Sequence, residues 1–87
     1  MARPETPEGL ILDELVRVIV GGIVDVPDRI QTVVIESGNT VIIELSVAKE
    51  DLGKVIGREG SMANALRALL SNAATKLHRR SLLQIVE

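Results

Sequence analysis

The stretch Gly57-Arg58-Glu59-Gly60 holds the residues of this sequence that are best suited to binding chemistry. Two glycines three positions apart allow backbone conformations that other residues rarely adopt, and they let a ligand approach without meeting a Cβ atom. Arg58 carries a planar guanidinium that can form two hydrogen bonds to a phosphate at once. A helix predicted to begin at Ser61 adds unpaired N–H groups and the positive end of its dipole. The pattern therefore predicts a phosphate-binding loop.

Two charged residues modify this prediction. Lys54 lies just upstream, on a short predicted helix, and we expect its ammonium group to assist in phosphate binding. Glu59 acts in the opposite direction, since a carboxylate beside a phosphate weakens the attraction. Arg58 offsets this charge, so we expect weak binding by a single copy. A purely structural turn between two helices is the alternative interpretation of the four residues.

Basic residues are concentrated in the second half of the chain. Residues 1–48 hold three basic and eight acidic residues, whereas residues 49–87 hold seven basic and four acidic ones. Although the formal net charge is −2, this asymmetry indicates an anionic partner for the second half. A solvated helix face is the alternative explanation for the same charges.

The residue types needed for other chemistries are missing or poorly placed. The chain has no cysteine and a single histidine, His78, which excludes disulfides and thiolate metal sites. A nucleotide-hydrolase loop would require a lysine and then Ser or Thr after the glycines, but Ser61 and Met62 follow Gly60. The scattered acidic residues form no visible acid–base pair. We therefore expect neither catalysis nor a cofactor or metal.

Length and composition fit one small domain. The chain has 87 residues and no Phe, Tyr or Trp, so its core must consist of Leu, Ile, Val and Ala. No apolar stretch approaches the roughly 18 residues of a membrane span, and the N-terminus lacks the pattern of a signal peptide. We expect a cytoplasmic protein without membrane contact, with a flexible segment at residues 1–8 before a domain at 9–87.

The first half of the chain predicts a helix followed by a β-hairpin. Thr6 before Pro7 suits a helix start, and Gly21-Gly22 suits its end. Gly38-Asn39 can supply the tight turn between two strands that are rich in β-branched residues. The apolar positions of the helix are Leu10, Ile11, Leu15, Val18 and Ile19, and the strands span 31–37 and 40–47, the second with Val41, Ile43, Leu45 and Val47 on one face.

The second half predicts two helices around the glycine loop and a last strand. The short helix covers about 49–55, the long one runs from Ser61 to about His78, and the strand spans 81–86. Because a lone hairpin is not stable, we expect all three helices to cover one face of a three-stranded sheet. The apolar stripe expected on the long helix comprises Met62, Ala65, Leu66, Leu69, Leu70, Ala73 and Leu77.

The motif Val55-Ile56-Gly57-Arg58-Glu59-Gly60, set between two helices and flanked by strands, resembles the signature of the KH family. The longer stretch from Leu52 and the short chain are similar to the small bacterial KhpA family, over about residues 9–87. The KH core would span residues 40–87, and one additional helix and one additional strand precede it. That order resembles the type II KH fold, an α+β fold of order α-β-β-α-α-β with three helices on one face of a three-stranded mixed sheet. The resemblance implies a loop that clamps about four nucleotides of single-stranded RNA.

The resemblance also implies binding residues and partners. KH grooves are generally aliphatic, which makes Ile56 the best candidate for contact with a base. Asn64, Arg67 and the pair Arg79-Arg80 would reach phosphates or base edges, with a solvated surface as the alternative. Members of the family act as homodimers or pair with a larger KH protein, KhpB (also called Jag), and are implicated in RNA chaperoning and in cell growth and division. The implied RNA-binding set is Lys54, Ile56, Gly57, Arg58, Glu59, Gly60, Ser61, Asn64 and Arg67.

Two further interpretations stay open. A helix-hairpin-helix element also places a glycine loop between helices and binds the backbone of DNA, but it does not predict the flanking strands. A dimerisation or adaptor module with incidental RNA affinity would account for the surplus of aliphatic residues and for the mixed charge.

Overall fold

The computed structural model, which describes residues 4–87, has the expected order of elements, α-β-β-α-α-β. These elements are α1 (Pro7–Gly21), β1 (Gln31–Ser37), β2 (Thr40–Ser46), α2 (Leu52–Ile56), α3 (Ser61–Lys76) and β3 (Arg80–Ile85). The largest difference from expectation lies before α2, where Lys49–Asp51 forms a 3₁₀ turn instead of α-helix. Within the described residues, no helix has the length and apolar character that crossing a membrane requires.

The central strand of the sheet is β2. It pairs antiparallel with β1 and parallel with β3, so the sheet is mixed and its order is β1-β2-β3. Val41, Ile43 and Leu45 are buried, as their alternation predicted. Parallel pairing of β2 with β3 requires a crossover connection, which α2, the glycine loop and α3 provide. The three helices cover one face of this sheet, which is the arrangement of a type II KH domain.

The buried side of α3 differs from the predicted stripe. Ala65 and Leu69, both placed in that stripe, are exposed, and Leu69 is 52% accessible. Aliphatic residues cover so much of this helix that periodicity alone does not select the side that faces the sheet. Alanines at two buried positions let the helix approach the sheet closely. The buried residues are Ala63, Leu66, Leu70 and Ala74, and Met62, Ala73 and Leu77 are partly buried against the core.

The aliphatic series predicted on α1 is likewise mostly outside the core. Leu10, Ile11 and Val18 are exposed, whereas Leu15 and Ile19 are partly buried. Both sides of α1 are aliphatic, and packing against β1 and α3 selects the buried one. The buried positions are Gly9, Leu12, Asp13, Val16 and Val20.

The N-terminal segment joins the fold earlier than expected. Thr6 caps α1 by accepting a hydrogen bond from the Gly9 N–H at 3.0 Å. The backbone N–H groups of Glu5 and Thr6 donate to the carboxylate of Glu36 on β1, at 2.7 and 3.0 Å. The domain boundary predicted at residue 9 is therefore corrected, because α1 begins at Pro7 and both Glu5 and Thr6 are bound to β1. The flexibility expected of the segment stays a prediction. Residues 1–3 lie outside the described part of the chain.

Candidate nucleic-acid interface

The glycine loop begins with a backbone conformation that suits glycine alone. Gly57 ends α2 with φ +77° and ψ 173°. A Cβ atom at this position would lie 2.7 Å from the backbone nitrogen of Met62 and 2.8 Å from its Cβ. Backbone strain and crowding would therefore both oppose a side chain at position 57. The missing side chain lets α2 turn directly onto the first turn of α3.

The second glycine closes the loop and leaves its outer surface open. Glu59 and Gly60 both adopt left-handed conformations, with φ of 55° and 77°. The Gly60 N–H donates to the carbonyl of Gly57 at 3.2 Å. Among the described residues, a Cβ atom at Gly60 would have one neighbour, the side-chain nitrogen of Asn64, at 4.0 Å. A ligand can therefore approach the backbone closely at position 60.

The helix that follows the loop begins without a side-chain cap. The Ser61 N–H donates to the carbonyl of Arg58, but no side chain of residues 4–87 accepts a hydrogen bond from the first turn of α3. Its N–H groups and dipole therefore create a positive potential beside the loop. Arg58 and Glu59 are exposed, and neither takes part in an ion pair with another described residue.

Lys54 is close to the loop in sequence, but its ammonium group is engaged elsewhere. It forms ion pairs with Asp25, in the connection between α1 and β1, and with the buried Asp51, the latter at 3.5 Å. The hydrogen bond to Asp25 raises the pKa of Lys54. Asp51 accepts hydrogen bonds from the backbone N–H groups of Asp25 and Val26, at 3.1 and 2.9 Å, which lower its pKa. Lys54 thus ties α2 to this connection, and its contact with phosphate stays a prediction.

Two predicted residues continue the surface along α3. Asn64 and Arg67 are exposed and three positions apart, so they share one side of the helix. Asn64 adjoins the loop through its closeness to Gly60. The Nε of Arg67 donates to the carbonyl of Leu83 on β3 at 3.3 Å. Ile56 is partly buried at the end of α2, directly before the loop.

The outer edge of β3 is the part of this surface that sequence reasoning missed. β3 is an edge strand, and the Leu83 carbonyl points away from β2 toward Arg67. Alternation of side chains is the same in a central strand and an edge strand, so the sequence held no signal for this placement. Strand order alone puts the edge beside the polar side of α3.

Arg79, suggested from the sequence as a further phosphate contact, belongs instead to a buried polar cluster. Its side chain is 11% exposed and lies 2.9 Å from Oε1 of Glu36. Burial alone would raise the pKa of Glu36, but hydrogen bonds from Thr6, Glu5 and Arg79 outweigh it and lower the pKa to about 2. Arg79 is therefore a structural residue, and Arg80, the other member of the pair, is exposed.

Sequence comparison connects this arrangement to a known family. The family model described as KhpA/KhpB, KH domain, matches residues 13–85, which include the loop, both flanking helices and all three strands. The chain belongs to the KhpA/KhpB KH-domain family. This assignment confirms the resemblance based on the stretch Leu52–Gly60.

Several relatives carry the name RNA-binding protein KhpA. The protein of Caldanaerobacter subterraneus is 43% identical over 75 residues, which cover 86% of this chain and 100% of the relative. The Borreliella burgdorferi protein is 43% identical over 74 residues, covering 85% and 90%. The Aquifex aeolicus protein is 40% identical over 76 residues, covering 87% and 96%. The similarity therefore extends over nearly the whole of each KhpA protein.

Proposed function

We propose that this KhpA-family chain is a non-catalytic protein that binds single-stranded RNA through the loop at Gly57–Gly60. The observation that carries the proposal is the uncapped first turn of α3 behind two glycines, next to the exposed Arg58. Such a surface suits the phosphates of an unpaired strand, because its donors are backbone N–H groups and one guanidinium. The relatives named RNA-binding protein KhpA support RNA as the ligand.

The loop residues divide the work of binding the sugar–phosphate backbone. Gly57 lets α2 turn onto α3, Gly60 leaves the outer surface of the loop open to the strand, and Ser61 presents the start of α3. Arg58 neutralises a phosphate, whereas Glu59 reduces the attraction, so one copy binds weakly.

The flanking residues act on either side of the loop. Ile56 gives apolar contact to a base. Asn64 and Arg67 extend the surface along α3 and reach base edges or phosphates. Lys54 acts by holding α2 against the connection before β1, through its ion pairs with Asp25 and Asp51.

Replacing Arg58 and Glu59 both by aspartate tests the loop. We expect the affinity for a mixed single-stranded oligoribonucleotide to fall by about tenfold or more, and the slope of log affinity against log salt to decrease, since each phosphate contact to a single strand contributes roughly 0.7 to that slope. The substitution Arg29→Asp is the matched control, because it makes the same change in net charge in the exposed turn Pro27–Arg29.

The results separate the alternatives. Equal losses in the double variant and in Arg29→Asp would contradict the loop as the binding site. Little RNA affinity in the wild type, together with unchanged association with a protein partner, would favour the adaptor interpretation. Tighter binding of duplex DNA than of single-stranded RNA would favour the helix-hairpin-helix interpretation.

We also propose that the protein works in the cytoplasm as an RNA chaperone or post-transcriptional regulator connected with cell growth and division. Weak contacts to the backbone of unpaired RNA suit such a role, since they are independent of sequence and are released easily. Crosslinking in cells, followed by sequencing of the attached RNA, would identify its targets. If the wild-type protein recovers no more RNA than the variant with aspartate at positions 58 and 59, this role is contradicted.

Self-association through the helical layer is a further part of the proposal. Arg17 of α1 contacts Thr32 on β1 at 3.1 Å, and Arg67 of α3 contacts β3, so the two arginines mark opposite flanks of the layer. The seam between the two helices carries aliphatic residues that are exposed or partly buried, and a second copy or the KH domain of a KhpB-type partner would cover them. These residues are Ile11, Leu15, Val18 and Ile19 on α1, and Met62, Leu69 and Ala73 on α3.

Two surfaces can be compared, the aliphatic seam between α1 and α3 and the outer face of the sheet. Substitution of an exposed residue on each one tests which surface forms the dimer. Val18→Glu and Leu69→Glu should shift the protein from dimer to monomer in sedimentation velocity. Leu82→Glu, on the outer face of the sheet, where Leu82 is 45% exposed, should leave the dimer intact. A monomeric Leu82→Glu variant beside dimeric Val18→Glu would place the interface on the sheet instead.

A further inference from the structure

The contact between Arg67 and Leu83 occupies a hydrogen-bond acceptor at the open edge of the sheet. Among residues 4–87, β3 has a neighbouring strand on one side only. Its pairing with β2 uses the N–H groups of alternate residues, Arg80 and Val86 among them. The intervening residues, which include Leu83, direct their backbone polar groups to the open side. The Leu83 carbonyl on that side accepts from Arg67 Nε at 3.3 Å.

The same contact leaves the rest of the guanidinium beside the edge. Within residues 4–87 the two terminal nitrogens of Arg67 have no protein partner, whereas Nε is fixed by Leu83. A guanidinium carries only donors and no acceptor. Without Arg67, the edge of β3 would present the Leu83 carbonyl as a free acceptor. With Arg67 bound there, the surface presents the N–H donors of the two terminal guanidinium nitrogens instead.

This arrangement lies within reach of a strand held at the glycine loop. Arg67 follows Ser61 by six residues, which places it about 9 Å farther along the helix axis. Asn64 lies between them on the same side of α3 and adjoins Gly60. A strand whose phosphates bind at the loop can therefore direct a base toward the space between Arg67 and the edge of β3.

We propose that Arg67 forms a base-reading subsite that selects guanine over adenine, an inference that rests on the proposed RNA-binding function. Guanine presents two adjacent acceptors, O6 and N7, which match the fork of an arginine. Adenine presents N7 and an amino group, and that amino group requires an acceptor. The Leu83 carbonyl, the acceptor that the strand edge places beside Arg67, already accepts from Nε, so it is a poorer partner for the adenine amino group.

Three heptaribonucleotides test the subsite in the full-length protein. Each consists of uridines around one central purine nucleoside, which is guanosine, inosine or adenosine. Inosine keeps O6 and N7 but lacks the 2-amino group of guanine, so it isolates the edge that the arginine reads. We expect the wild-type protein to bind the guanine and inosine strands with similar affinity and the adenine strand about tenfold more weakly.

Variants of Arg67 separate base reading from attraction to phosphate. Arg67→Ala frees the Leu83 carbonyl, and Arg67→Lys keeps the charge but loses the fork, so both should reduce the guanine-to-adenine ratio to about one. Arg58→Ala should weaken the three strands equally and keep the ratio. Circular dichroism of each variant verifies the fold, since Arg67 is exposed and its replacement leaves the core intact.

Two outcomes would overturn the inference while RNA binding stands. One is equal affinity of the wild type for the three strands. The other is a ratio that survives in Arg67→Ala and Arg67→Lys, which would make Arg67 a phosphate contact only. Absence of measurable binding to all three strands would instead contradict the proposed RNA-binding function itself.

Discussion

The two ends of α3 differ in how their polar groups are satisfied. At the N-terminal end, the described residues provide no side-chain cap, and the charge of Arg58 faces solvent. At the C-terminal end, His78 takes a left-handed φ of 60°, and the Arg79 N–H returns to the carbonyl of Ala74 at 2.8 Å. The Arg79 side chain is then enclosed against Glu36.

This difference separates stability from binding within one helix. The C-terminal end satisfies its polar groups inside the protein, so changes there should alter folding. The N-terminal end leaves donors that only water or a ligand can satisfy, so changes there should alter binding. A substitution at one end that produces the effect expected of the other would contradict this division.

Removal of the buried carboxylate should have the largest effect. Glu36→Ala removes the acceptor of Nη2 of Arg79 and of the N–H groups of Glu5 and Thr6, and we expect a loss of about 3 kcal/mol in the free energy of unfolding. Urea denaturation measures this loss. The control Glu44→Ala, on the neighbouring strand, should cost less than about 0.5 kcal/mol. RNA affinity should be unchanged in both variants while they stay folded.

Acid should weaken the same cluster. The folded-state pKa of Glu36, about 2, is lower than its ordinary value of 4.5, so the stabilisation is fully present above about pH 4.5 and is lost as the pH falls toward 2. The lowered pKa of Asp51 acts in the same direction. The urea midpoints of the wild type and Glu36→Gln should therefore differ most at pH 7, and the difference should shrink as the pH falls from 4.5 to 2. An undiminished difference at pH 2 would contradict this assignment.

A side chain at the second glycine should change binding with little effect on folding. Asparagine tolerates the left-handed conformation, so Gly60→Asn should change the stability by less than about 0.5 kcal/mol. The new side chain obstructs the loop, and we expect RNA affinity to fall by about tenfold, which corresponds to 1.4 kcal/mol. Gly38→Asn is the matched control, because Gly38 is also left-handed (φ 58°) and has open space around it. Equal RNA affinity of the two variants would argue against the loop.

The smallest effect should be that of one charge at the open end. Arg58→Ala should lower the slope of log affinity against log salt by about 0.7, the contribution of one phosphate contact on a single strand. Arg29→Ala, a second exposed arginine far from the loop in sequence, should leave the slope unchanged. Fluorescence anisotropy between 50 and 200 mM salt would measure both slopes. If the slope decreases for Arg29→Ala and not for Arg58→Ala, the phosphate contact lies outside the loop.

Helix α3 shows what a local sequence pattern predicts and what it does not. The start of the helix at Ser61 follows from the glycines, whereas its end at Lys76 comes two residues before the end predicted near His78. Leu69 and Leu70 are adjacent and both belong to the predicted apolar stripe, but only Leu70 is buried. Both sides of the helix offer aliphatic surface, so only the position of the sheet decides between them.

Residue types and short spacings by themselves determined the order of elements and the left-handed glycine loop, because these depend on neighbours within about four positions along the chain. The tertiary structure decided which charges are available. It joined Arg79 to Glu36, 43 residues away, and Lys54 to Asp25, 29 residues away. It also set Arg67 against the edge of β3. Such pairings depend on strand order and helix packing, which bring together segments that no local pattern connects.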